Sequence, residues 1–324
     1  KKKVCLILFV AMLIFAVSVM VARTFMYHNF FLMASKLLIE YAWLLCAIFF
    51  SLLVRLPGEQ IKSGFRIYAP IMLMSFIVIT FRIIFIPNNL VMLIFPPILL
   101  VFTVWQWRVV KRHNANIPRS DIFYTWISLA IMVFSTASAL YGYVLLAVQV
   151  LIWWMFQLSC IQTITCVYDM LAQYEKRYLA HKIHSEADAE KAKKGSMLSI
   201  ITISHNKHIN VTWFYDFVYM ALVPMLSVFS LLLSIWWAAD VFDLTATVWN
   251  IFMFNFLNVT GVVQLSIGKM VMVLSQFFLF RYINYLVKSL YHKYHKSKVV
   301  VNGKPNFTLA NNIIAICCWG LYFI

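Results

Sequence analysis

The sequence predicts an all-α, polytopic helical membrane protein, with about nine transmembrane helices plus one interfacial or partly inserted helix. Three observations lead there. Of 324 residues, 63% are hydrophobic and 12% charged, about half the charged share of an ordinary soluble domain. A chain of this size buries only about 75% of its unfolded surface on folding, so a water-facing globule would be left with far too much apolar surface. The apolar residues also fall in long runs near the roughly 20 residues that a helix needs to cross hydrocarbon. Finally, the 27 Lys and Arg residues, against 11 Asp and Glu, are spread unevenly over the segments that join those runs. Eight glycines and eight prolines are too few for a linker-rich chain, and apolar content this high excludes disorder.

In chain order the predicted spans are 4–22, 37–54, 67–86, 90–106, 122–141, 143–168, 214–237, 263–287 and 307–324, the last barely long enough. The fifth and sixth are hinged at Gly142 with almost no loop. A weaker apolar stretch, 241–257, carries Asp243, Asn250 and Asn255 and reads as the interfacial helix, with a tenth span as its alternative. Basic residues favour cytoplasmic segments. With the N-terminus inside, segments 1–3, 55–66, 107–121, 169–213 and 288–306 hold 22 basic residues, against Arg23 and Lys36 outside and Arg82, Lys269 and Arg281 within spans. Segment 169–194 runs on from the sixth span with apolar residues near helical spacing, which predicts a helix protruding into the cytoplasm and stopping at Gly195. The chain opens on Lys1-Lys2-Lys3 and closes at Ile324 inside an apolar run, and reads as a portion of a longer protein.

Chemistry-bearing patterns are sparse. There is no His-Glu-x-x-His signature and no Gly-rich phosphate loop, so the chain reads as a non-enzyme without cofactor or metal. Cys5, Cys46, Cys160, Cys166, Cys317 and Cys318 lie in apolar runs and read as small hydrophobes. The pairs His205/His208 and His292/His295, and the trio His181, His184 and Glu186, read as solvated faces. An ionisable residue inside a span costs roughly 3 kcal/mol on insertion scales and so needs a partner, a cavity or an interface. For Glu40, Arg82 and Asp216, each near a span end, snorkelling suffices. Lys269, about one and a half turns into the eighth span, and Arg281, one or two turns from its cytoplasmic end, are candidates for either a functional contact or snorkelling.

Arg281, Lys288, Lys293, Lys296, Lys298 and Lys304 stand beside Tyr282, Tyr285, Tyr291 and Tyr294. Anionic inner-leaflet lipid attracts such juxtamembrane cations by about 1 kcal/mol each, and tyrosine prefers the same interface. Membrane lipid is therefore the expected partner, and nucleic acid is not. Pro96-Pro97 predicts a bend in the fourth span, and the paired tryptophans fit an aromatic belt.

The C-terminal residues 266–290, with Phe-Arg-Tyr-Ile-Asn-Tyr-Leu at 280–286, and residues 306–320, opening Asn-Phe-Thr-Leu-Ala-Asn-Asn, carry a family likeness. They resemble the small-conductance mechanosensitive channel family, in particular long members with extra N-terminal transmembrane helices. The resemblance implies a division into an N-terminal sensor or paddle region, 1–262, with a cytoplasmic excursion at 169–212, and a helical hairpin, 263–324, matching the two peripheral helices of the channel core. It further implies a bacterial inner-membrane location, a homo-oligomeric ring (a heptamer), tension coupling through Arg281, Lys288, Lys293 and Lys296, and a pore helix beyond residue 324. The residues leave open a secondary transporter, suggested by the span number, Pro96-Pro97 and Lys269, and a scaffold subunit of an envelope complex.

Overall fold

A computed structural model of the chain describes residues 2–26, 28–56, 60–84, 88–112, 118–179, 209–259, 263–298 and 307–323. The helices are α1 Lys2–Phe25, α2 Asn29–Arg55, α3 Ile61–Ile83, α4 Asn88–Lys111, α5 Arg119–Leu140 and α6 Val144–Tyr174, the last continued by a π turn, Glu175–Leu179. Next come α7 Ile209–Phe217, a π turn Val218–Leu222, α8 Val223–Val241 and α9 Thr245–Met253. A hairpin of β1 Asn255–Val259 and β2 Val263–Ser266 leads into α10 Ile267–Lys298, and α11 Phe307–Phe323 follows. Among the described residues eight helices are long and apolar enough to cross a membrane, counting Thr212–Val241 as one. The chain is a polytopic helical membrane protein.

Several boundaries differ from those expected, each for a physical reason. The ninth span, α11, has 17 described residues, about 25 Å at 1.5 Å per residue, at the lower end of the range that crosses hydrocarbon. Helix α9 has nine residues, about 13 Å, so the 241–257 stretch does not cross as a helix. Its last residues enter β1, which pairs antiparallel with β2 from Asn255↔Ser266 to Val259↔Val263, with an irregularity between Asn255 and Leu257. The eighth span consequently begins at Ile267, because Val263–Ser266 is strand. Ser266 then caps α10, its hydroxyl accepting from Lys269 N–H at 3.3 Å, the N-cap to N3 bond that serine favours. Pro96 and Pro97 lie inside an uninterrupted α4. The π turn at Val218–Leu222 ends two residues before Pro224, whose ring crowds the carbonyl four residues back, at Met220 inside the turn; a local widening relieves that clash.

The chain forms two compact units, Lys1–Cys166 with Ser230–Asn250, and Val167–Phe229 with Ile251–Ile324. In the first, α1 packs along α2, α2 on α3, α3 on α4 and α4 on α5. Its core holds Leu37, Leu44 and Ile48 of α2, Met74 and Ile79 of α3, Phe95 and Leu99 of α4, and Ile152 and Phe156 of α6. Polar bonds tie this core together. Trp154 Nε1 donates to Ser128 Oγ at 3.0 Å, Gln162 Nε2 to Tyr68 OH at 2.9 Å and Ser234 Oγ to Gln157 Oε1 at 2.6 Å. Trp154 thus belongs to the core rather than to a belt. Helix α1 buries only Cys5 and Ala16, and small residues let backbones approach closely where lipid supplies no hydrophobic drive. The remainder of α1, with Ile7, Ile14 and Val17 more than half exposed, demands an apolar solvent.

Gly142 lies at φ 91°, the left-handed region in which glycine carries no Cβ penalty. Tyr143 N–H reaches Ser138 O at 2.9 Å and Gly142 N–H reaches Ala139 O at 3.1 Å, the bond pair of a Schellman stop. That turn sends the chain directly from α5 into α6, as the expected hinge requires.

Candidate functional site

The second unit is built around α10, whose 32 residues extend about 48 Å. Hydrocarbon accommodates roughly the first 20 of these, so the end from Lys288 onward projects past it. Ser275, Tyr282 and Ser289, spaced by seven, are buried at 2%, 6% and 1% exposure and mark one seam. Arg281 and Lys288, also seven apart, share a different face, with Arg281 exposed and Lys288 half-buried. Lys293 is exposed; Lys296 lies on the α10 backbone, its side chain outside the described residues. Arg281 and Lys288 thus stand about 100° round the helix from Tyr282 and Ser289, while Lys296 continues the seven-residue spacing of the seam itself.

The seam meets α7. Tyr282 OH donates to Trp213 O at 2.9 Å, Tyr285 OH donates to Asp216 Oδ2 at 3.0 Å, and Phe217 and Tyr282 rings meet edge to face at 5.2 Å. Asp216 is 4% exposed, so this carboxylate is held by protein instead of snorkelling to water. Next to it on α7, Tyr215 OH donates to Glu175 Oε2 at 2.7 Å in the π turn that continues α6, and Tyr168 lies edge-on to Tyr219 at 5.6 Å. Nearer the start of α10 an aromatic clamp joins α11. Phe277 lies 5.2 Å from Trp319, Phe280 lies 5.6 Å from Tyr322, and Tyr322 OH donates to Val273 O at 3.1 Å.

Lys269 occupies the first turn of α10 instead of a deep position. It is exposed, and its Nζ donates to Gln264 O of β2 at 3.1 Å, fastening the hairpin to the helix. The later start of the span, at Ile267 rather than 263, is what leaves Lys269 in its first turn.

In the first unit Arg82 caps a helix. Helix α8 ends in a Schellman turn, with Asp243 at φ 55° and Leu244 N–H bonding Ala239 O at 2.9 Å. Arg82 Nη2 donates to Val241 O at 3.1 Å, and its guanidinium lies 4.9 Å from the Phe242 ring. A cation on the last free carbonyls suits the negative end of the helix dipole. Lys36 of α2 pairs with Asp240 of α8, and Glu40 follows one turn later, half-buried. Arg23, Lys36, Arg82, Asp240 and Asp243 line one cavity, which brings Arg23 and Lys36, the two basic residues counted outside, beside Arg82 at a span end. Elsewhere in this unit Arg55 Nη1 meets Asp121 Oδ1 at 2.8 Å, the side chains 11% and 4% exposed, joining two segments assigned to the other side.

The tyrosine contacts of α10 were legible only as interfacial aromatics, because their acceptors, Trp213 and Asp216, stand 69 residues away. The seven-residue spacing of Ser275, Tyr282 and Ser289 is the signal that marks the seam. Residues His181, His184, Glu186, His205 and His208, with Gly195, lie outside the described residues. Comparison with protein-family models, curated proteins and solved structures finds no match to this chain.

Proposed function

We propose that the chain is the membrane portion of a subunit of a tension-gated ion channel. It resides in a bacterial inner membrane with its N-terminus in the cytoplasm, works as a homo-oligomeric ring, and passes lateral tension to a pore helix outside residues 1–324. Besides the sequence resemblance of 266–320, the observation that carries this reading is the arrangement of α10. A long helix with exposed apolar residues such as Met272 and Val273 is fastened to α7 through Tyr282 and Tyr285 and to α11 through Phe277 and Phe280. Tension favours whichever conformation occupies more membrane area, and shifts populations as a ligand does through differential affinity. Arg281, Lys288 and Lys293 hold the cytoplasmic end at anionic headgroups, so a change in area tilts α10 about a fixed point.

Patch-clamp recording of the full-length protein in giant liposomes tests this reading. Suction should open a conductance, and Lys288→Gln with Lys293→Gln should move its threshold. Absence of conductance under suction in both forms contradicts it. The charged cavity around Arg82 favours a secondary transporter as the second reading, for which solute uptake by a monomer or dimer is the expected result.

A further inference from the structure

Two cavities of the first unit meet at Arg82 and Met33, one charged and one apolar. The charged cavity, about 540 Å³, is lined by Arg23, Asn29, Lys36, Arg82, Asp240 and Asp243 among others. The apolar one, about 500 Å³, runs over Phe81, Val91, Met92, Val144, Leu145 and Val148. Both volumes fall within the range of about 300–1,000 Å³ common for small-molecule sites. Met92 and Leu145 are 54% and 62% exposed, so the apolar cavity opens onto the surface that lipid covers.

The charged cavity is only partly satisfied by protein. Lys36 pairs with Asp240 and also lies within electrostatic reach of Asp243, so Arg23 and Arg82 add two positive charges to a lining in which two carboxylates share one lysine. Arg82 uses Nη2 on the Val241 carbonyl, while its Nε is buried with no hydrogen-bond partner among the described residues. A buried donor left unpaired costs about 1–3 kcal/mol, more when charged, and such groups call for a ligand or water.

We propose that the two cavities together hold one zwitterionic phospholipid. Its phosphate sits between Arg82 and Arg23, its ammonium faces Asp243, and one acyl chain fills the apolar cavity across α3, α4 and α6. A free phosphate would leave the apolar cavity unfilled, and a lipid with an uncharged headgroup alcohol would leave Asp243 to share Lys36 with Asp240. One amphiphile with both charges answers all three groups. The site needs no pore and stands independently of channel gating.

The test is native mass spectrometry of the full-length protein, delipidated and then offered equal amounts of phosphatidylethanolamine and phosphatidylglycerol. One phosphatidylethanolamine per chain should be retained in preference. Arg23→Gln at the charged end, where the side chain is exposed, and Val148→Trp in the apolar cavity should each lower retention about tenfold, or 1.4 kcal/mol. Asp243→Asn should keep the lipid and lose the headgroup preference. Unchanged retention in Arg23→Gln overturns the site even if Val148→Trp fails to fold. Equal retention of both lipids by the unaltered protein overturns the zwitterionic assignment. Displacement of the lipid by inorganic phosphate alone overturns the lipid in favour of a free anion.

Discussion

At the scale of single residues, Arg55, Asp121 and Asp216 are explained by their partners. Arg55 and Asp121 lie almost fully buried and in direct contact. Such a pair contributes little net stability against an apolar replacement, yet removing one partner strands a charge and costs about 3–5 kcal/mol. Asp121→Ala should therefore destabilise the protein by roughly that amount in thermal unfolding in detergent, and Arg55→Met combined with Asp121→Leu should recover most of it. Equal losses in the single and double variants would show that the pair does not act as a unit. Arg82 follows the same logic by a different route: the carbonyl end of α8 is its counter-charge, and Phe242 covers one face of the guanidinium. The sequence placed Arg82 correctly near a span end and suggested snorkelling, because the acceptor, Val241, lies 159 residues away. Lys269 was misplaced for a local reason, since a strand ending at Ser266 looks apolar enough to pass as the start of a span.

At the scale of elements, α10 is the helix on which function turns. Its buried seam of Ser275, Tyr282 and Ser289 faces protein, and Arg281 and Lys288 flank that seam one residue before Tyr282 and Ser289. The Asp216–Tyr285 bond is the strongest polar tie along the seam, because a carboxylate acceptor makes a hydrogen bond roughly twice as strong as a neutral one. A double-mutant cycle of Asp216→Asn and Tyr285→Phe should give a coupling energy of about 0.5–3 kcal/mol, with faster hydrogen exchange over α10 residues 280–290 in each variant. Additive effects and unchanged exchange would free α10 from α7. The β hairpin and the short α9 escape a periodicity reading. Asn255 and Asn258 interrupt the apolar run without any strong turn pair, and a strand of four or five residues is too short to display alternation. By contrast, the hinge at Gly142 was legible because a glycine between two long apolar runs leaves the chain only a left-handed turn.

At the scale of the whole molecule, apolar composition and run length sufficed to identify a helical membrane protein, because lipid demands that every spanning segment satisfy its own backbone. Charge sorting then assigned the ends of the helices. The structure groups Arg23 and Lys36, the two basic residues counted outside, around one cavity and joins Arg55 to Asp121, from two segments counted inside. Which group faces the cytosol decides whether α10 anchors to the inner leaflet, and on that the tension reading stands. The most direct measurement is cysteine accessibility in intact cells, using a membrane-impermeant thiol reagent on the full-length protein with its native cysteines replaced. Ser297→Cys, in the last turn of α10, should resist labelling until the membrane is permeabilised, while Met26→Cys, between α1 and α2, should label from outside. The reverse pattern, with Ser297→Cys labelled from outside, would contradict the account.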